Sequence, residues 1–304
     1  MKMTSDSGNR ETGCESDAME DIEAAVVEGI KRAVTDLPPD VEGALREALR
    51  REDSSLARLN LETILKNVEI ARDQGIPMCQ DTGTLIFYVR VGTGFKHAPL
   101  LKKAITGGVK RATEEIPLRP NTVHPFKNRN MGWNLGPGMP IVHFDIVEGD
   151  TAEIVIVPKG GGSENPSRLK MLNPTDGMEG VRRLVLETVA GGAPRACPPI
   201  IVGVGIGGGA DMAVHMAKKA ASRPVGQRHP CPETAELEEH LLREINSLGI
   251  GPMGLGGHTT ALDVHIEYAC RHPASFPAAV VFQCWAARRA KITLDNTGKW
   301  EVSQ

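Results

Sequence analysis

Apolar residues recur at helical spacing through the first quarter of the chain, then give way to short continuous runs punctuated by glycine and proline. Ile22, Val26 and Ile30 share one face of a first helix, and Val41, Leu45 and Leu49 mark a shorter second one after the break "LPPD". A third begins at Ser54 or Ser55 as N-cap, carries Leu61, Leu65 and Val68 inward, and stops at Gly75. "TLIFYVRVG" then reads as a strand, "PLLKKAITGGVKRATEEI" as a helix, and "IVHFDIVEGDTAEIVIVPKGGGSEN" as two strands around the turn "EGD". "TDGMEGVRRLVLETVAGG" is a helix with a glycine stop. "PPIIVGVGIGGGADMAVHMAKKAA" is strand, glycine turn and helix. "TAELEEHLLREINSLG" is amphipathic, and "FPAAVVFQCWAARRA" is a late strand ending at a cysteine. This order predicts an α/β fold, with a mixed α+β arrangement as the variant, and a helical amino-terminal region. One main domain over residues 19–304 is expected, after a polar tail at 1–18 expected to be disordered.

Composition narrows the function classes. Lys and Arg number 35 against 38 Asp and Glu, a formal charge of −3, which gives no support for a nucleic-acid or anionic-membrane partner. No apolar run reaches the ~20 residues that span a bilayer, and the start "MKMTSDSGNRETGCESDAMED" has no signal-peptide pattern, so a cytoplasmic protein is expected. The six cysteines, Cys14, Cys79, Cys197, Cys231, Cys270 and Cys284, are scattered and form no C-x-x-C pair. A disulfide framework and a zinc ribbon are therefore disfavoured, and any metal site must gather thiols from distant segments.

"GVGIGG" holds G-x-G-x-x-G at Gly203, Gly205 and Gly208, after an apolar run and before a helix. A dinucleotide site would next need a strand ending in an acidic residue, but "SRPVGQRHPCPE" follows instead. The glycines are better read as allowing close backbone approach, with N–H groups at the helix start available to an anion.

The stretch "IPMCQDTGT" sets Cys79 among Gln80, Asp81 and Thr82, an unusual setting for a packing cysteine. Together with "VPKGGGSENPSRLKMLNP", "CPPIIVGVGIGGGADMA" and "GIGPMGLGGHTTALDVHIEYACRHPASFPAAVVFQCWAARR", it resembles the amino-terminal half of the class I, iron–sulfur-dependent fumarases. That half can be a separate α subunit, as in the related L-tartrate dehydratases. The resemblance covers roughly residues 20–295.

The resemblance implies that Cys79, Cys197 and Cys284 are the thiolate ligands of a 4Fe–4S cluster. Three ligands leave one iron open as a Lewis acid, which favours chemistry over electron transfer. It implies that Gln80 and Asp81 contact substrate, with Asp81 assisting proton abstraction, and that Arg119 grips a substrate carboxylate. Gly162 matches a backbone position that meets substrate, with Lys159 and Ser163 as lesser donors. His272 matches the active-site histidine; His258, in the Gly-rich "GGHTT", competes with it on composition alone. Cys14, Cys231 and Cys270 match no ligand position, and His97, His143, His215 and His265 are read as structural.

By the same resemblance the chain needs a smaller β subunit to complete its site, in an expected α2β2 heterotetramer acting on a small C4 dicarboxylate. The reaction expected is reversible hydration of fumarate to (S)-malate, as in the tricarboxylic acid cycle. Dehydration of L-tartrate to oxaloacetate is the alternative, and a non-catalytic iron–sulfur dicarboxylate sensor the more distant one.

Overall fold

The computed structural model describes residues 8–304, with side chains from residue 16 onward. The first elements are α1 (Gly8–Thr35), α2 (Pro39–Arg51), α3 (Ser55–Gln74), β1 (Thr84–Gly92), α4 (Leu101–Glu115), β2 (Val123–His124), β3 (Arg129–Asn130), β4 (Ile141–Val147) and β5 (Ala152–Lys159). Then come α5 (Gly161–Glu164), β6 (Arg168–Leu172), α6 (Gly177–Gly192), β7 (Ile200–Gly208), α7 (Ala210–Ala220), α8 (Pro232–Ser247), β8 (Ala261–Arg271), β9 (Phe276–Gln283), β10 (Ala290–Leu294) and β11 (Trp300–Ser303). The fold is mixed α/β with a helical start, as the pattern of apolar runs predicts. Of the stretch expected as a polar tail, residues 8–18 fall in α1, while 1–7 and the side chain of Cys14 lie outside the described residues.

The chain divides into two compact units, each with its own sheet. The first comprises Met1–Asp36, Gln74–Pro158 and Arg288–Gln304, and the second Leu37–Asp73 and Lys159–Ala287.

In the first unit the strand order is β11-β10-β5-β1-β4, with β1 and β4 parallel. β1 is apolar at almost every position because both its faces are covered. Phe87 and Val89 join Ile154, Ile156 and Ile292 beneath α1 and α4, while Ile86, Tyr88 and Val157 form a cluster of their own. The expected face of α1 is the buried one, with Ile22, Val26 and Ile30 all in the core. β4 and β5 do flank "EGD", yet they are not sheet neighbours, because β1 lies between them.

In the second unit the order is β6-β9-β7-β8, with β7 antiparallel to β9 and parallel to β8. Alternation along β7 sends Val202, Val204 and Ile206 into a core with α6 and α8. Gly203 and Gly205 face the other way, onto α7. A Cβ on Gly203 would fall 2.0 Å from the Ala217 carbonyl oxygen, and one on Gly205 would fall 1.9 Å from that of Ala213. The fingerprint-like glycines thus permit close approach, and what approaches is a helix backbone.

Candidate functional site

The chain enters the Cys79 loop from the end of α3. Gly75, at φ 63°, takes the left-handed conformation that ends the helix, and the Met78 N–H bonds the Val34 carbonyl at 3.0 Å. Cys79 is partly buried and Gln80 exposed. Asp81 makes an Asx turn, its Oδ1 accepting the Gly83 N–H at 3.0 Å, and the same oxygen accepts from Asn121 Nδ2 at 3.2 Å. Thr82, buried, joins this loop to the one carrying Arg119. Its hydroxyl accepts the Arg119 N–H at 3.1 Å and faces the Arg119 carbonyl at 3.4 Å. Asn121 also donates to the Gly83 carbonyl at 3.2 Å, and is itself held through its N–H by Asn134 Oδ1 at 2.7 Å. Asp81 and Arg119, 38 positions apart in sequence by their numbers, are therefore fixed against one another by two neutral polar side chains. The Arg119 side chain is exposed and reaches outward.

The loops that carry two of the expected cysteines meet in the second unit. Cys197 sits at φ 52°, a strained value for a side chain with a Cβ, just before a cis Pro198–Pro199 bond and the start of β7. Cys284 follows the last residue of β9, and Gln283 pairs in register with Ile201 of β7. The Trp285 N–H donates to the Cys197 carbonyl at 3.1 Å, so the two cysteine-bearing loops are bonded together at one end of the sheet. Neither is spent in a disulfide, nor is Cys79.

Lys159 opens the second segment of this unit and is buried to 4% exposure. Its ammonium donates to Ser163 Oγ at 2.8 Å and pairs with Glu164 at 3.3 Å. Burial is the strongest influence on it and pulls its pKa below the ordinary lysine value, against the opposing pull of Glu164 and of the Cys284 sulfur. Gly162, exposed in the first turn of α5, has room for a Cβ, with only the Arg195 carbonyl nearby at 3.6 Å.

His272 does not join Cys197 and Cys284. It lies in the turn that precedes β9, whereas Cys284 follows β9, and eight strand residues intervene. At ~3.3 Å per residue that is on the order of 26 Å. The His272 Nδ1 accepts the Ala274 N–H at 3.1 Å, so the neutral ring carries its proton on Nε2. His258 bonds Asp53 at 2.9 Å, and Glu52, Asp53 and His258 are the one group of three or more ligand-type side chains within 4.8 Å of one another among the described residues. Cysteines that each bind a different iron of a cluster stand farther apart than the ligands of a single ion. A pocket of 470 Å³ is lined by Met178, Tyr268, Cys270 and Phe276, and contains none of the expected site residues.

A family model described as fumarate hydratase (Fumerase) matches residues 23–293. The chain belongs to this family. A relative from Methanocaldococcus jannaschii, provisionally named L(+)-tartrate dehydratase subunit alpha, is 49% identical over 90% of this chain and 98% of its own length. L(+)-tartrate dehydratase subunits alpha from Escherichia coli and Shigella sonnei are 43% and 42% identical, each over 86% of this chain and 89% of their own length. No helix among the described residues is long and apolar enough to cross a membrane.

Thr82 and Asn121 escaped the sequence reading as positioning groups. Both stand beside expected site residues, in "CQDTGT" and "LRPNTV", but nothing in either string says that the two loops meet. Arg288, inside "CWAARR", is the largest fully buried side chain among the described residues, and the sequence marks it only as one arginine of a pair.

Proposed function

We propose that the chain is the α subunit of a two-chain iron–sulfur hydro-lyase that dehydrates L-tartrate to oxaloacetate. Fumarate hydration to (S)-malate is the second reading, favoured by the description of the family itself. The expectation from sequence put fumarate first. Relatives that match nearly end to end and carry the tartrate name reverse that order.

The observation that carries the reading is the bond from the Trp285 N–H to the Cys197 carbonyl, which ties the Cys197 and Cys284 loops together at one end of a sheet. The donor set fits a cluster: soft sulfur ligands, none spent in a disulfide, one with a buried ammonium beside it. Cys79, Cys197 and Cys284 would hold a 4Fe–4S cluster, which when bound supplies a Lewis acid for a leaving hydroxyl. The remaining work belongs to side chains. Arg119 holds a carboxylate of the C4 acid through its planar fork. Asp81, one oxygen committed to Gly83 and Asn121, presents a carboxylate of fixed orientation to assist proton removal from the neighbouring carbon. Gln80 and the Gly162 backbone add polar contacts to substrate. A role for His272 at the Cys197–Cys284 end requires that it come from another copy of the chain. A β subunit completes the site, in an α2β2 assembly.

The test is anaerobic reconstitution with iron and sulfide, with and without the β chain, followed by parallel assays on L-tartrate, fumarate and (S)-malate. About four irons per α chain are expected, with turnover of L-tartrate by the pair alone. Preference for fumarate would reverse the choice of substrate. Four irons without turnover of any of these acids would remove the hydro-lyase reading.

A further inference from the structure

Arg288 is 2% exposed. Its Nη2 donates to the main-chain oxygen of Asp81 at 3.0 Å. Nε and Nη1 are buried and have no hydrogen-bond partner, and no carboxylate among the described residues pairs with the group. The next arginines, at 12% and 24% side-chain exposure, are less buried yet paired with carboxylates, Arg223 with Glu238 and Glu267 and Arg228 with Glu238 and Asp263, although the Arg223 Nε also lacks a partner.

A guanidinium keeps its charge at any pH at which a protein stays folded. Sealing one from water without a counter-charge is costly, so an unpartnered buried guanidinium calls for a partner from outside the chain's own side chains. The partner that suits it is an anion, accepting from a guanidinium whose Nη2 already rests on the Asp81 loop. We infer that Arg288 is a second carboxylate-binding arginine of this chain, holding one end of a C4 dicarboxylate beside Asp81. The inference rests on the proposed hydro-lyase reading and deepens it. Nη2 spends one N–H on Asp81, so its other N–H and Nη1 can meet a carboxylate end-on. The bond to Asp81 makes anion binding and loop position a single event, because a carboxylate drawn to Arg288 arrives next to the group proposed to assist its deprotonation. Arg119, whose side chain is exposed, differs in kind: it can reach for a substrate, while Arg288 waits in place.

The test uses the reconstituted two-chain protein. Arg288→Met and Arg288→Lys are compared with wild type by calorimetric titration with succinate, an unreactive C4 dicarboxylate, and with butyrate, its one-carboxylate counterpart. Iron and sulfide per chain and the thermal midpoint are measured on the same samples. Removing one partner of a buried charge pair predicts a loss of about thirtyfold or more for succinate in Arg288→Met. Butyrate binding should change far less, so that the advantage of succinate over butyrate collapses, and the Lys variant should recover part of it. Iron and sulfide are expected to be unchanged. Loss of iron with succinate affinity intact per loaded chain would assign Arg288 to the cluster and overturn the inference. Equal losses for both acids, or a lowered thermal midpoint with no change in binding, would make the residue structural and overturn it too. A wild type that holds iron but binds no succinate would instead sink the dicarboxylate reading itself, which the variants alone cannot do.

Discussion

Replacing Gly205 by alanine adds one methyl group to β7 on the side that faces α7. Its Cβ would lie 1.9 Å from the Ala213 carbonyl oxygen and 2.8 Å from the Ala217 nitrogen. Non-bonded heavy atoms settle at about 3.5 Å, so α7 must retreat by roughly 1.5 Å or β7 must bend away. Either movement opens the seam where Ala213 and Ala217 meet Ala279 and Val281, all fully buried or nearly so. The obstacle is backbone on both sides, which no rotamer change relieves. Overpacking of this kind costs about 3 kcal/mol, the upper part of its usual range. For a unit of this size, at ~2–4 °C per kcal/mol, the midpoint should fall by about 6–12 °C. Differential scanning calorimetry and urea denaturation would measure it. Gly191→Ala in α6 is the matched control, since nothing lies within 4 Å of its Cβ position; there alanine should stabilise by up to ~1 kcal/mol. A Gly205→Ala protein melting within about 2 °C of wild type would refute the claim that these glycines exist for helix approach.

Asp263 predicts a pH dependence. Burial pushes its carboxyl up, but hydrogen bonds from His265 and Arg228 outweigh that and hold it at about 2, against ~3.9 in an unfolded chain. Its contribution, on the order of 2–3 kcal/mol, is complete above about pH 4 and is lost as the pH falls through about 2; urea midpoints between those limits should slope steeply in wild type and be flatter in Asp263→Asn. Asn121→Ala should leave iron per chain unchanged while lowering kcat/KM by roughly tenfold to a hundredfold, because it frees Asp81 from its fixed orientation; unchanged kinetics would deny the positioning role. Cys79→Ser, Cys197→Ser and Cys284→Ser should each lose iron on reconstitution, whereas Cys231→Ser and Cys270→Ser should not, as read by iron analysis. The Cys231 thiol, lowered in pKa first by the backbone of Thr234 at the start of α8 and then by the Thr234 hydroxyl, should alkylate faster than Cys270 near neutral pH; mass-spectrometric labelling that finds Cys270 faster would contradict it.

β1 was legible because a strand buried on both faces becomes a continuous apolar run, bounded here by Gly83 and Gly92. β8 was not. Its sequence, "ALDVHIEYACR", places Asp263, His265 and Glu267 on one alternating face, which reads as a solvated edge. Instead Asp263 and His265 are buried, His265 bonding the Ala220 carbonyl at 3.1 Å and Asp263 at 3.0 Å, with Arg228 and Glu238 completing the network. Polar residues buried against partners 28 to 45 positions away leave no periodic trace. The candidate site divides in the same way. The thiols and the Asp81 loop announce themselves by residue type, whereas Thr82, Asn121 and Arg288 matter through partners on other segments. His272 shows the converse hazard: a residue that matches by motif can stand a whole strand away from the thiols it was grouped with.

The direct meeting of β7 and α7 also sets how this unit breathes. With no side chain between them, the two backbones cannot slide or separate by small rotamer steps, so Gly203 and Gly205 amides should exchange with solvent only when the whole unit opens. Cys197 stands three residues before that strand begins. The thiol is therefore tethered to the slowest-exchanging part of its unit, while Cys79 rides on a loop whose protection depends on a handful of hydrogen bonds. Deuterium uptake should rank the two segments in that order, and the difference marks the Cys79 loop as the one free to adapt when the remaining parts of the site arrive.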